Sequence, residues 1–234
     1  MAKMVGYACS LKLSWLNKAY QLSVQGLDET SCKEQLNEFL AFEIDSPTRL
    51  RKTREILMNV WWRETQENKQ FLALAKSLMD KHPDYAPAIH LCMIYLSYPV
   101  VVDICRIMGK TFEFQDEIAN ASLKSKLFDA WGERGALDTT ARRVTLTLKE
   151  LGLLEAPSRF RYKLLPMDVA NAEVVDFVLS VAMHLDGNSY YTLSELRTFP
   201  VLFPFRLQIS KEQLMMDERF ITSNLGGELS VALK

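Results

Sequence analysis

The chain has 234 residues, of which 48% are hydrophobic and 24% are charged, and its formal net charge at pH 7 is −1. This average composition excludes collagen-like and low-complexity chains and disordered tails of one charge sign. A chain of this length buries roughly 70% of its unfolded surface, so it needs no disulfide or metal to fold. Because the net charge is near zero, any binding to nucleic acid or to an anionic membrane has to come from local patches.

The N-terminal part predicts three helices, at 10–26, at about 29–42 and at about 47–64, because apolar residues recur there at helical spacing. Ser46 followed by Pro47 is a typical helix start, with a capping hydroxyl and then a proline at the first helical position. Three short helices joined by tight turns predict a helix-turn-helix-like unit.

The middle of the chain predicts further helices at about 67–81, at 86–96 and from Pro99 to about Met108. The segment 86–96 is apolar on nearly all sides, which predicts a central, buried helix. The helix that starts at Pro99 is expected to close at Gly109, since glycine commonly ends helices.

The segment from 122 to 165 has the pattern of a winged helix. It predicts a helix at 122–131, a second helix at 138–151, and a hairpin formed by 153–154 and 160–165. Apolar and basic residues alternate along the second arm of this hairpin, as on a half-buried strand. Two successive helices followed by a basic hairpin are what a winged helix requires.

The tail after Pro166 mixes helices and strands. We expect a helix at about 169–185, a short helix opened by the capping box 192–195, a strand at 205–209, helical turns at 210–216, and a hairpin of 220–223 with 228–233. The predicted fold is therefore mainly α: a helical, helix-turn-helix-like N-terminal unit (1–65), a helical region ending in a winged helix with short β-hairpins (66–166), and an α+β C-terminal tail (167–234).

The four cysteines and three histidines are dispersed along the chain without a C-x-x-C pair or any spacing typical of a zinc site. Scattered thiols are typical of a reducing compartment. The N-terminus lacks the apolar core of a signal peptide, and no apolar run approaches the ~20 residues of a membrane span. We therefore expect a cytoplasmic protein with no metal, no cofactor and no membrane contact.

Two basic regions are the strongest candidates for a binding site. The helix 138–151 and the hairpin after it are expected to expose hydroxyl and basic side chains suited to phosphate oxygens and base edges: Thr139, Thr140, Arg142, Arg143, Thr147, Lys149, Arg159, Arg161 and Lys163. The start of the 47–64 helix adds four cations close to a helix N-terminus: Arg49, Arg51, Lys52 and Arg54. The alternative is that both regions are ordinary solvated faces whose charges are neutralised by nearby acids.

Sequence motifs of enzymes are absent: the chain has no G-x-S-x-G, P-loop, G-x-G-x-x-G or H-E-x-x-H. Cys92 and His90 are neighbours two apart on a predicted helix, so their side chains diverge by about 200° and form no local dyad. His90 is expected to be a hydrogen-bonded core histidine, and we predict that the protein is not an enzyme.

The chain resembles the BrxA family of small accessory proteins from bacterial BREX phage-defence loci. The likeness lies in the helical segments 13–26 and 36–54, with the run S-P-T-R-L-R-K-T-R, and in A-R-R-V-T-L-T-L-K-E-L-G-L-L at 141–154. It covers about the first two thirds of the chain. The resemblance implies a small helical DNA-binding component of a defence system, with no catalytic residues to carry over.

Together these features predict a protein that binds double-stranded DNA without modifying it, with 138–151 in the major groove and 49–54 and 159–163 on the backbone. One alternative is a protein-interaction scaffold of a larger complex that docks through Trp62 and the 199–205 loop. The other is a transcriptional regulator that senses a ligand in the 86–108 helical region. The oligomeric state and the target sequence are left open.

Overall fold

The computed structural model describes residues 6–133, 135–225 and 228–234. Within these ranges the chain is mainly helical with small sheets, which confirms the predicted fold class at this level. The helices are α1 Leu13–Ser23, α2 Glu29–Ala41, α3 Pro47–Trp61, α4 Lys69–Lys81, α5 Ala86–Ser97, α6 Pro99–Phe112, α7 Asn120–Trp131, α8 Gly135–Glu150, α9 Ala172–Asp186, α10 Leu193–Arg197 and α11 Lys211–Met216. The strands are β1 Glu117–Ala119, β2 Leu154–Ser158, β3 Arg161–Leu164, β4 Met167–Val169, β5 Tyr191–Thr192, β6 Phe205–Leu207, β7 Phe220–Leu225 and β8 Glu228–Leu233.

Side-chain caps place the starts of the N-terminal helices where the sequence predicts them. The Asp28 carboxylate accepts a hydrogen bond from the Ser31 N–H at 2.7 Å at the start of α2. At the start of α3, the Ser46 hydroxyl accepts from the Arg49 N–H at 3.4 Å, and Pro47 occupies the first turn. Each cap satisfies a backbone donor that has no partner inside the helix.

The core is built around α5, which is contacted by α1, α3, α4, α6 and α9. Its residues from Ala86 to Leu96 are buried except Pro87, so the prediction of a central buried helix is confirmed. Buried apolar side chains form one continuous cluster that runs from Tyr7 to Val231. The division into three segments stays a prediction.

His90 lies inside this core with both ring nitrogens hydrogen-bonded. The indole N–H of Trp61 donates to His90 Nδ1 at 3.0 Å, so the proton of a neutral ring lies on Nε2, 2.8 Å from Asn17 Oδ1. Burial lowers the pKa of His90 to about 3, because a charged imidazolium there would lose its hydration. The expectation of a hydrogen-bonded core histidine is confirmed.

The prediction that the sixth helix ends at Gly109 is wrong: α6 continues to Phe112. Gly109 serves a different purpose, because α6 packs directly on a 3-10 turn formed by Pro200–Leu202. A Cβ atom at position 109 would lie 1.9 Å from the Pro200 carbonyl oxygen. The glycine is therefore a point of close backbone approach inside a helix.

The segment from α6 to β3 forms one compact unit in which β3 lies between β1 and β2 and is antiparallel to both. The predicted hairpin is confirmed, and β1 is an additional strand too short to be read from the sequence. The turn between β2 and β3 contains Phe160 with φ of 64°, a left-handed conformation that costs a non-glycine residue about 1–2 kcal/mol. The Arg159 guanidinium lies 4.8 Å from the centre of the Phe160 ring.

The C-terminal tail adds two further small sheets. Strand β4 pairs in parallel with β6, and β5, β8 and β7 form an antiparallel sheet in that order. The predicted capping box is present, since Thr192 and Glu195 bond each other's backbone at the start of α10. Part of the turn of the predicted last hairpin, Gly226 and Gly227, lies outside the described residues.

None of the helices described here combines the length and the apolar character needed to cross a bilayer.

We predict that Gly109→Ala lowers the free energy of unfolding by about 1–3 kcal/mol, the usual cost of overpacking a well-packed core. The clash with Pro200 outweighs the better helix propensity of alanine, which is worth about 1 kcal/mol. Urea denaturation measures the change. Gly135→Ala is the matched control: among the described residues, no atom beyond the local helix backbone lies within 4 Å of the added methyl, so the variant should be as stable as the wild type or slightly more so. Equal stability of both variants would contradict the assigned packing.

We predict a pH dependence of stability from His90, whose pKa is about 3 in the folded chain and about 6.5 when unfolded. Below about pH 6.5 the unfolded chain binds a proton that the folded chain does not, so the free energy of unfolding falls by up to about 1.4 kcal/mol per pH unit. Urea denaturation between about pH 6.5 and pH 4.5 should show this slope reduced in His90→Gln. Parallel profiles for the two proteins would refute the prediction.

Candidate nucleic-acid interface

The N-terminal end of α3 presents a cationic face. Its first turn contains no acidic residue, and Arg49, Arg51 and Lys52 are exposed. Arg49 and Lys52 are three residues apart and therefore lie on the same face of the helix. The partial positive charge of a helix N-terminus adds to the potential of these side chains. This end of α3 therefore favours an anion.

Helix α8 supplies the second set of cations. It is held by one buried face, made of Leu137, Thr140, Ala141, Val144, Thr145, Thr147 and Leu148. Anchoring through this face leaves Arg142 exposed and Arg143 half-buried.

A short segment before α1 connects these two helices. The Thr147 hydroxyl on α8 lies 2.8 Å from the Tyr7 hydroxyl and accepts a hydrogen bond from the Leu11 N–H at 3.0 Å. At the other end of the segment, the Lys12 ammonium pairs with Glu43, which also accepts from the Trp15 indole N–H at 3.2 Å. Residues 7–12 therefore join α8 to the loop that leads into α3.

The basic side chains of the two helices meet in one concavity of about 440 Å³. Arg49 and Lys52 contribute from α3, and Arg142 and Arg143 contribute from α8. The remaining lining residues carry no charge: Ala8, Cys9, Ser10, Ser46, Thr48 and Leu146. In the part of the chain that the structure describes, no carboxylate lies within ion-pairing distance of the four cations.

A second concavity, also about 440 Å³, adjoins the first because Arg142 lines both. It lies where the first turns of α7 and α8 meet the turn between β2 and β3: the Asn120 N–H donates to the Phe160 carbonyl at 2.9 Å. Its other cation is Lys124, whose ammonium lies 3.8 Å from an Asp138 carboxylate oxygen at the surface. We call the cations of the two concavities the cationic strip: Arg49, Lys52, Lys124, Arg142 and Arg143.

Three of the predicted site residues are placed differently from the expectation. Thr140 and Thr147 are buried, so the prediction that α8 exposes them is wrong. Thr140 donates to the Ala136 carbonyl at 2.9 Å, and Thr147 faces the 7–12 segment, which widens the buried face of α8. Arg54 turns toward α2, where it donates to Asn37 at 3.1 Å, and it also bonds its neighbour on α3, Glu55, at 2.7 Å; it does not line either concavity.

The other predicted residues outside the strip are exposed. Thr139 lines the second concavity, while Arg51 and Lys149 are exposed outside both. On β3, Arg161 lies 3.6 Å from Glu117 and Lys163 lies 3.5 Å from Glu155. Such exposed pairs contribute little and are easily exchanged for another anion.

The sequence interpretation missed Lys124 and Phe160. Lys124 lies in a helix predicted from apolar spacing alone, and nothing local distinguishes it from a solvated lysine. Phe160 is 47% exposed at the tip of the hairpin. The available signal is a large aromatic residue next to basic residues, but alternation along 160–165 places Phe160 on the predicted strand instead of in the turn.

His90 and Cys92, the two residues considered for a catalytic pair, are buried in the core. Both nitrogens of His90 are bonded to Trp61 and Asn17, and burial raises the pKa of the Cys92 thiol. Over the described ranges, no three His, Cys, Asp or Glu side chains are grouped as metal ligands would be.

Comparison of the chain with protein-family models, with curated proteins and with solved structures gives no match.

Proposed function

We propose that this protein binds double-stranded DNA through the cationic strip and does not modify it. The observation that carries the proposal is the meeting of Arg49 and Lys52 with Arg142 and Arg143 in a concavity whose described lining contains no acidic residue. Four uncompensated cations repel one another, and an external polyanion relieves that repulsion. A duplex supplies closely spaced phosphates at about one charge per 1.7 Å, which suits a strip longer than a single anion site.

We also propose that α6 to β3 is a winged-helix unit in which α7 and α8 are the two helices of a helix-turn-helix and α8 enters the major groove. The order helix, strand, helix, helix, strand, strand and the sheet order β1, β3, β2 support this assignment. In helix-turn-helix proteins the N-terminal residues of the second helix contact base edges and the first helix crosses the backbone. Thr139 and Arg142 lie in the N-terminal half of α8, where such contacts are made, and Arg143 follows directly.

The remaining cations suit the phosphate backbone. Arg49 and Lys52 extend from the N-terminal end of α3, and Lys124 from the second turn of α7. The free N–H groups at these two helix N-termini also favour phosphate oxygens. Arg142 belongs to both concavities and is the best placed to reach a guanine edge, because its guanidinium can bond two acceptors at once. All five cations would neutralise phosphate charge and set the position of the duplex, and Arg142, whose guanidinium has five N–H donors, would add sequence preference at a base edge.

The resemblance of residues 13–26, 36–54 and 141–154 to the BrxA family supports a role as an accessory component of a bacterial phage-defence complex. The strip residues from α3 (Arg49 and Lys52) and those from α8 (Arg142 and Arg143) fall within the segments that carry this resemblance. In such a complex the protein would hold the duplex while other components act on it.

We predict that the wild-type protein retards a duplex of about 20 base pairs, two helical turns, in a salt-dependent manner. Each phosphate contact contributes about −0.9 to the slope of log K against log salt, so the five cations predict a slope of about −4.5.

Arg142→Ala/Arg143→Ala should weaken binding by about tenfold or more without changing the melting temperature noticeably. Fluorescence anisotropy of a labelled duplex at several salt concentrations measures the affinity and its dependence on salt, and thermal denaturation measures the melting temperature.

The matched control is Arg197→Ala/Arg206→Ala, which removes the same charge from exposed positions that line neither concavity. This variant should bind the duplex with nearly wild-type affinity. The proposal would be overturned if the two double variants lost the same affinity for the duplex, or if the affinity of the wild type did not change with salt.

A further inference from the structure

The C-terminal half of the molecule contains a larger concavity of about 780 Å³, which we call the C-terminal cleft. It lies between the end of α6, the end of β3, α10 and the segment from 198 to 209. Aromatic and aliphatic side chains dominate its lining, among them Phe112, Phe199, Phe203 and Phe205. The rings of Phe112 and Phe203 stack with centroids 5.7 Å apart and planes 16° apart. Its volume falls within the roughly 300–1,000 Å³ typical of small-molecule sites.

The walls of the cleft are fixed by interactions with the core. The Tyr95 hydroxyl donates to the Val201 carbonyl at 3.0 Å, and the Met167 N–H donates to the Pro204 carbonyl at 2.9 Å. Gly109 allows α6 to lie directly against Pro200. The shape therefore exists before any ligand arrives, as in most small-molecule sites.

Two arginines give the apolar cleft a positive rim. Arg197 on α10 and Arg206 on β6 both line it and are both exposed. Among the described residues, neither forms an ion pair. Of the described residues that line the cleft, Glu113 alone is acidic, which leaves an excess of positive charge. Guanidinium groups bind carboxylates and phosphates with paired hydrogen bonds.

We propose that the C-terminal cleft binds a small amphipathic anion, with an apolar or aromatic body on the phenylalanine surface and a carboxylate, sulfonate or phosphate group at Arg197 and Arg206. The charge of the rim selects against a neutral ligand, and the apolar lining selects against a free inorganic anion. The cleft shares no lining residue with the cationic strip. The proposal is therefore independent of DNA binding and can fail or succeed separately.

Two fluorescent probes with similar aromatic bodies test the charge requirement: 8-anilinonaphthalene-1-sulfonate, an anion, and N-phenyl-1-naphthylamine, which is neutral. The wild-type protein should bind the anionic probe more tightly. In Arg197→Ala/Arg206→Ala the affinity for the anionic probe should fall about tenfold or more, the factor expected for lost charge-assisted hydrogen bonds, while the neutral probe is unaffected. Equal affinity of the wild-type protein for both probes would overturn the proposal.

Matched variants locate the site. Arg142→Ala/Arg143→Ala removes the same charge elsewhere and should leave both probes bound as in the wild type. Thr198→Glu adds a negative charge at an exposed lining position, so it should weaken binding of the anionic probe and leave binding of the neutral probe unchanged. If Arg197→Ala/Arg206→Ala is folded, as judged by circular dichroism, and binds the anionic probe as tightly as the wild type, the assignment is wrong.

Competition then identifies the anionic group. Decanoate and decyl phosphate should each displace the anionic probe, and the stronger competitor shows whether carboxylate or phosphate is preferred. Decanol and inorganic phosphate lack one half of the required chemistry and should displace it poorly. Displacement by decanol as strong as that by decanoate would contradict a role for the arginine rim.

Discussion

The contact of Thr147 with the segment 7–12 is the interaction on which the rest of the candidate site depends. By bonding Tyr7 and the Leu11 N–H, Thr147 holds that segment on α8. Lys12 and Trp15 then hold Glu43, a few residues before α3 begins. Two helices that are distant in sequence are thereby fixed side by side, and their cations are forced into one concavity. A buried polar group with this many partners specifies one arrangement, since any other would leave donors unpaired.

The electrostatics of the molecule are local. The net charge is −1, and several arginines outside the strip are neutralised by the protein itself. Arg63 bonds both Glu29 and Glu55, and Arg219 forms a pair of bonds with Asp217. The cations of the first concavity lack such partners within the described chain. A neutral protein can therefore present a strongly positive surface, and the same reasoning applies on a smaller scale to Arg197 and Arg206 at the C-terminal cleft.

Local sequence rules predicted the elements well and their tertiary relations poorly. The starts of α2, α3 and α10 follow from caps that act within a few residues, so Asp28, Ser46 and Thr192 are readable directly. The predicted end of α6 is wrong because Gly109 does not end the helix. It allows close contact with Pro200, which is far away in the sequence.

The same limit applies to the candidate site. A helical wheel treats α8 as having one buried stripe, but the 7–12 segment covers a second part of it. Thr147 was therefore predicted to be exposed. The basic runs near Arg49 and Arg142 were visible in the sequence, whereas their meeting in one concavity was not, because no local pattern encodes the contact between two separate helices.

The central claim is that cations from α3 and α8 act on the same duplex. Its most direct test is the salt dependence of DNA binding for the wild type, Lys52→Ala, Arg142→Ala and the variant with both substitutions. Each single substitution should reduce the magnitude of the slope of log K against log salt by about 1, and the double variant by about 2. If Lys52→Ala keeps the wild-type slope and affinity while Arg142→Ala loses both, α3 lies outside the interface and the account of a shared strip is wrong.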